Sequence, residues 1–141
     1  MTAYILDTTT LTHIYESHPR VLDRLAAAVV ARASIGTTTV NVEEVIGGWF
    51  AKLRQAKTPA QEAQTARALA LAVRTLGPVT IHHTTEAALA RFDQLVRLKL
   101  NVGRMDLKIA AVALEVGATV VTDNLRDFGR VPGLAVVDWL A

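Results

Sequence analysis

The chain has 141 residues, 51% of them hydrophobic, and fifteen Lys and Arg against thirteen Asp and Glu give a formal net charge of +2. That length and apolar share suit one domain, read as residues 1–141, with a sizeable core, and argue against disorder. The lack of cysteine excludes a disulfide framework, a thiolate zinc site and a cysteine nucleophile, leaving oxygen and imidazole as the main metal ligands and favouring hard cations such as Mg²⁺ or Mn²⁺.

The amino terminus, Met1 to Asp7, carries no basic leader, and its apolar run is too short for a signal peptide or a membrane span. The expectation is a cytoplasmic protein with no membrane partner. A pI of about 9.3 records only a mild basic excess and does not by itself identify a nucleic-acid binder. If acids gather at one site, however, the remaining surface is correspondingly positive and suits a polyanion.

Short apolar runs alternate with longer helical periodicities, the pattern of an α/β fold with a mostly parallel sheet. A strand at Tyr4 to Leu6 ends in Asp7. Thr8 to Ser17 then reads as a helix, and Pro19 opens a second one running to about Arg32. A strand at Ile35 to Thr38 precedes a helix starting near Asn41 that carries Glu43, Glu44, Trp49 and Phe50. Thr58-Pro59 caps and restarts an alanine-rich helix that Gly77-Pro78 stops. Val79 to His82 reads as a strand, and Thr84-Thr85 caps a helix reaching Lys99, broken by Asn101-Val102-Gly103. From about Asp106 the residues Leu107, Ile109, Ala110, Val112, Ala113 and Leu114 are apolar almost all round, which predicts a buried helix closed by Gly117. A strand at Thr119 to Thr122, a turn through Asp123 to Phe128, and a last strand at Leu134 to Val137 complete the chain. Helices separate the strands, so parallel pairing is the natural topology.

Two strands thus end in an aspartate, Asp7 and Asp123. Ligand chemistry in an open parallel sheet collects beyond the carboxyl ends of the strands, and Glu44 and Asp106, near the starts of two helices, can join those acids around one cation. Each acid also has a plainer use. Asp7 and Asp106 stand where a carboxylate caps a helix, and Glu43 or Glu44 can complement a helix dipole from its first turn. Asp123 and Asn124 follow a strand, where such residues make turns; Asp127 and Asp138 read as surface or turn residues. Adjacent Glu43 and Glu44 point about 100° apart, so one of them at most faces a given site. His13, His18, His82 and His83 show no ligand spacing, Ser17 and Ser34 lack a nucleophile-elbow context, and the glycines form no phosphate-binding fingerprint. Trp49 and Phe50 read as packing residues.

The segments Ile5-Leu6-Asp7-Thr8, Val42-Glu43-Glu44-Val45-Ile46-Gly47-Gly48 and Met105-Asp106-Leu107-Lys108-Ile109-Ala110-Ala111 resemble successive motifs of PIN-domain ribonucleases, in the same order. The stretch Val120 to Phe128, with Val131-Pro132-Gly133-Leu134 and Asp138-Trp139, is similar to the end of the VapC-like toxins of that family. The resemblance covers nearly the whole chain. It implies a three-layer α/β/α sandwich around a mostly parallel sheet, an Mg²⁺ or Mn²⁺ site built from carboxylates, and endonucleolytic cleavage of RNA. Asp7 matches the first acidic position, Glu44 the second, by its spacing to Gly48, and Asp106 the third. For the fourth, Thr122, Asp123 and Asn124 all match the region, and Asp123 is taken with Asn124 left open.

On that resemblance Asp7 and Asp106 are direct metal ligands, while Glu44 and the Asp123 region bind a second ion, hold metal waters or act as a base. Arg104, Lys108, Arg126 and Arg130 are candidates for holding the RNA backbone. The expected partners are RNA, a small antitoxin protein whose segment lies over the catalytic groove, and a second copy in a homodimer or toxin–antitoxin hetero-oligomer. Thr9 stands where the family commonly has Asn, and Asn41 where it commonly has Thr; both keep a small polar side chain. The competing readings are a PIN-like RNA- or antitoxin-binding module without turnover, and another Mg²⁺-dependent phosphoryl-transfer enzyme.

Overall fold

The computed structural model describes residues 2–141; Met1, part of the amino-terminal reading above, lies outside them. The elements in chain order are β1 (Ala3–Leu6), α1 (Thr8–Tyr15), α2 (Pro19–Val30), β2 (Ser34–Thr38), α3 (Thr39–Gln55), α4 (Pro59–Leu76), β3 (Thr80–His82), α5 (Glu86–Arg97), α6 (Arg104–Val116), β4 (Thr119–Val121), α7 (Leu125–Phe128) and β5 (Val136–Val137). The strands form one sheet in the order β3-β2-β1-β4-β5, and each neighbouring pair is parallel.

Successive strand residues point to opposite faces, and the two central strands show it directly. Ile5 and Val120 join one apolar cluster with Phe92 and Leu95 of α5 and Ile109 and Ala113 of α6. Leu6 and Val121 join the other with Leu11 of α1, Val21 and Ala28 of α2, Leu76 of α4 and Trp139. The result is the expected three-layer sandwich. Ile109, Ala110, Ala111 and Ala113 of α6 have no exposed surface, in line with a helix whose sequence is apolar all round. Among the described residues, no helix is long and apolar enough to cross a membrane.

The strand order defines where a ligand can sit. From β1 the chain moves outward to β2 and β3, then returns across the sheet to β4 and β5 on the other side. The direction of winding therefore reverses between β1 and β4, and the crevice beyond their carboxyl ends is the switch point of the fold. Asp7 and Thr122 are the first residues past those two ends.

Several element boundaries differ from the expectation for local reasons. Helix α1 stops at Tyr15, because Ser17 adopts a left-handed φ of 58° that no helix continues through. Helix α3 starts at Thr39, with Thr38 and Asn41 forming a reciprocal cap. The segment after β4 holds the short helix α7, and β5 is cut to two residues by the preceding turn, where Gly133 takes φ 77°. Phe50, expected to pack, is exposed.

Strand β2 approaches β3 closely at Gly36. A Cβ there would stand 2.7 Å from Nε2 of His82 and 3.0 Å from the Thr80 carbonyl oxygen. Gly36→Ala is therefore expected to destabilise the protein by about 1–3 kcal/mol, the usual cost of overpacking, read as a lower denaturant midpoint. An unchanged midpoint would contradict this packing.

Candidate active site

Asp7 is 7% exposed, and its backbone N–H donates to the Val121 carbonyl at 2.9 Å, extending the β1–β4 pairing by one residue. It occupies the N-cap position of α1 in an extended conformation, yet its carboxylate accepts no N–H from that helix. Instead Oδ1 accepts from Nδ2 of Asn41 and Oδ2 from Oγ1 of Thr122, both at 2.9 Å. The capping explanation for Asp7 is thereby removed. Both donors are neutral, so they orient the carboxylate without cancelling its charge.

Asn41 is fully buried, and its amide is used at both ends. Its Oδ1 accepts from the Thr38 hydroxyl at 2.7 Å and the Thr38 N–H at 3.4 Å, while Nδ2 donates to Asp7 and to Oγ1 of Thr8 at 3.1 Å. The start of α3 and the end of β1 are thus locked through one side chain. Two further threonines fasten the strand ends: Thr37 Oγ1 donates to the Leu6 carbonyl at 2.7 Å and Thr10 Oγ1 to the Val121 carbonyl at 2.9 Å.

Three positions after Asn41, Glu44 lies on the same face of α3. Partial burial, then the charge of Asp7, then that of Asp106 push its carboxyl above the ordinary glutamate value, while the Thr8 hydroxyl works in the opposite direction. Helix α3 has no acid in its first turn, so dipole complementation there does not describe Glu43 or Glu44. Glu43 turns away into a separate hollow with Thr84, Met105 and Lys108. Asp106 sits in the first turn of α6, behind an N-cap Gly103 that offers no side chain. Burial, then Asp7, then Asp127 raise its carboxyl above the ordinary aspartate value.

Acids from three elements, the end of β1, α3 and α6, thus face the same region: the charge of Asp7 acts on Glu44 and on Asp106, and that of Asp106 on Glu44. Asp123 is exposed and is not among the charges that act on Glu44 or Asp106. Asp127, read from sequence as a surface or turn residue, is half-buried and acts on Asp106. Nδ2 of Asn124 donates to its Oδ2 at 3.2 Å, and Nη1 of Arg130 lies 3.4 Å from its Oδ1. The available signal was the Asn124-x-x-Asp127 spacing of a helix N-cap; Asn124 caps α7 by accepting the Asp127 N–H on Oδ1 at 3.4 Å, while its own N–H donates to Thr122 Oγ1 at 3.0 Å.

Among the basic candidates, Arg104 and Lys108 flank Asp106 on α6 and lie over the Phe92 ring, 5.0 and 5.5 Å from its centroid. Arg130 is held by Asp127 and by the Asn101 carbonyl at 2.9 Å. Arg126 is exposed.

Known proteins resemble this chain in sequence and in fold. The chain is 23% identical over 139 residues to Ribonuclease VapC1 of Haemophilus influenzae strain R2866, covering 96% of this chain and 97% of that one. A shorter match, 46% identical over 46 residues, joins 33% of this chain to 35% of the tRNA(fMet)-specific endonuclease VapC of Salmonella typhimurium. The crystal structure of DNA-bound VapBC from Salmonella typhimurium superposes with a TM-score of 0.77 at 28% identity, covering 99% of both chains. The family model of the PIN domain matches residues 4–134, and the chain belongs to the PIN domain family.

Proposed function

We propose that this protein is an Mg²⁺- or Mn²⁺-dependent endoribonuclease that serves as the toxin of a toxin–antitoxin pair. The observation that carries the reading is Asp7: a buried carboxylate at the sheet's switch point, held only by neutral donors, whose charge raises acids on two other elements. Repulsion of this kind is relieved when a cation enters. The relatives named as ribonuclease and endonuclease, and the neighbour solved as a VapBC complex with DNA, support the activity and the partner.

Among the described residues, no three acids or histidines stand close enough to enclose an ion unaided. The donor set still fits Mg²⁺, which keeps several waters and is held through one or two carboxylates together with substrate phosphate oxygens. Asp7 and Asp106 are the proposed ligands. Each oxygen of Asp7 accepts one hydrogen bond from the protein and keeps a second lone pair. When bound, the ion supplies Lewis acidity toward the scissile phosphate and the attacking water.

The chain's own groups do the rest. Asn41 and Thr122 fix the rotamer of Asp7, and Thr8 steadies Glu44, whose carboxylate is suited to take a proton from the attacking water. In the carboxy-terminal segment Asp127 is favoured over Asp123 as the fourth acid, because its charge reaches Asp106. Arg104 and Lys108 bring positive charge for the RNA backbone beside that acid. A small antitoxin protein is the proposed inhibitor, with the toxin paired as a homodimer or within the hetero-oligomer.

Wild-type protein is expected to cut a structured RNA panel with Mg²⁺ or Mn²⁺ and to be inactive in chelator. Asp7→Asn and Asp106→Asn should each abolish cleavage, and activity persisting in both would contradict the reading. Asn41→Ala leaves Asp7 Oδ1 without its donor, so activity is expected to fall about 10- to 100-fold, the usual effect of removing a partner that orients a metal ligand. Wild-type rates in that variant would show that Asp7 needs no such support.

The pH dependence follows from the raised carboxyls. In the metal-free protein Glu44 and Asp106 hold protons more tightly folded than unfolded. Between the unfolded and the raised folded values the native state binds more protons, so stability falls as pH rises through that window. The melting temperature of metal-free protein should therefore rise as pH is lowered from neutrality toward the ordinary carboxylate range, and Mg²⁺ should flatten the trend. A melting temperature that falls steadily over the same interval would contradict this.

A further inference from the structure

The face of α3 that begins with Asn41 and Glu44 continues, at helical spacing, through Val45, Gly48, Trp49 and Lys52. Beyond Glu44 it borders a cavity of about 320 Å³ between α1, α3 and α4, which shares Thr8 and Glu44 with the acid site. Tyr15 and Trp49 wall it, with ring centroids 5.9 Å apart and planes inclined at 46°. Nζ of Lys52 lies 4.7 Å from the Trp49 ring centroid, and among the described residues no carboxylate forms an ion pair with it. A Cβ at Gly48 would meet nothing within 4 Å. The polar lining is mixed, with the hydroxyls of Thr8, Thr12 and Thr75, the carboxylates of Glu16 and Glu44, and Lys52 as its one cation.

These features suit one kind of occupant. Trp49 stands five residues past Glu44, about 7.5 Å along the helix at 1.5 Å per residue, a span of about two stacked nucleotides. An unpaired base has two π-faces for an aromatic wall and a phosphate for a lone ammonium, which is how single strands are held without duplex. A base that takes the indole face replaces the lysine resting on it, whose charge is then available to the backbone phosphate.

Resting on the ribonuclease reading above, we infer that this cavity receives one unpaired base of the RNA near the scissile phosphate. The base stacks on the Trp49 ring where Lys52 now rests, Tyr15 borders it from the side, and Lys52 engages the adjoining phosphate. Trp49, which the sequence alone assigns to packing, becomes a specificity-determining residue.

The test uses full-length protein with Mg²⁺ and an RNA that wild type cuts, made intact and as a set with one abasic nucleotide near the cut. Trp49→Ala is expected to raise KM about 10- to 100-fold on intact RNA, the range of one lost base stack. It should leave KM nearly unchanged on the substrate whose abasic position matches the cavity. Trp49→Phe should recover most of the loss, and Gly48→Leu, which fills the cavity from an open position on α3, should reproduce it. Thermal melts of all three variants report on folding.

Equal KM for Trp49→Ala and wild type on intact RNA would overturn the assignment and leave the cavity to a protein partner. So would a loss that is the same on every abasic substrate. Wild type that cuts no RNA at all would instead overturn the ribonuclease reading itself, and is told apart by the absence of any cleavage to compare.

Discussion

A carboxylate is held, nearly out of water, at the point where the sheet changes its direction of winding. Asp7 occupies that place because its backbone completes the pairing of β1 with β4, while its side chain is caught between Asn41 and Thr122. A buried charge is costly unless it is hydrogen-bonded, and here both bonds are neutral. The arrangement keeps the charge and its direction together. That is what a ligand for a hard cation requires, and it is more than a helix cap would need.

Most of the local structure serves this placement. The reciprocal cap of Thr38 and Asn41 begins α3 one residue after β2 ends, and so brings the Asn41 amide to Asp7. The same cap sets the rotation of α3, turning Glu44 toward the acids and Glu43 into a different hollow. On the other side, the middle of α6, from Ile109 to Ala113, is buried all round, which anchors the helix and places half-buried Asp106 within reach of the charge of Asp7. Three acids whose charges oppose one another are a local conflict in an otherwise consistent fold, and such conflicts gather where a protein works.

Much of this was legible in the chain. The alternation of Ile5 with Leu6 and of Val120 with Val121 announces a sheet covered on both faces, and the apolar run of α6 announces a central helix. The residues of the site were harder to sort. Asp7 stands at a true N-cap position, so no local pattern separates a cap from a ligand; the decision lies in Asn41 and Thr122, far along the chain. Asn41 itself reads as a departure from the family pattern, and its use emerges only when its amide meets Asp7. The effect of Asp127 on Asp106 was not legible because α7 is a helix of four residues, too short to leave a periodicity. Trp49 looked like core for want of any sign that α1 and α4 leave a space beside it.

The central claim is that Asp7 and Asp106 share one divalent ion. Crystals soaked in Mn²⁺ and measured near the manganese absorption edge would test it most directly, because the anomalous signal locates the ion without reference to activity. The account predicts a peak in contact with both carboxylates in the wild type, lost in Asp7→Asn. Manganese bound elsewhere on the molecule, or a peak in the crevice that touches neither aspartate, would contradict it.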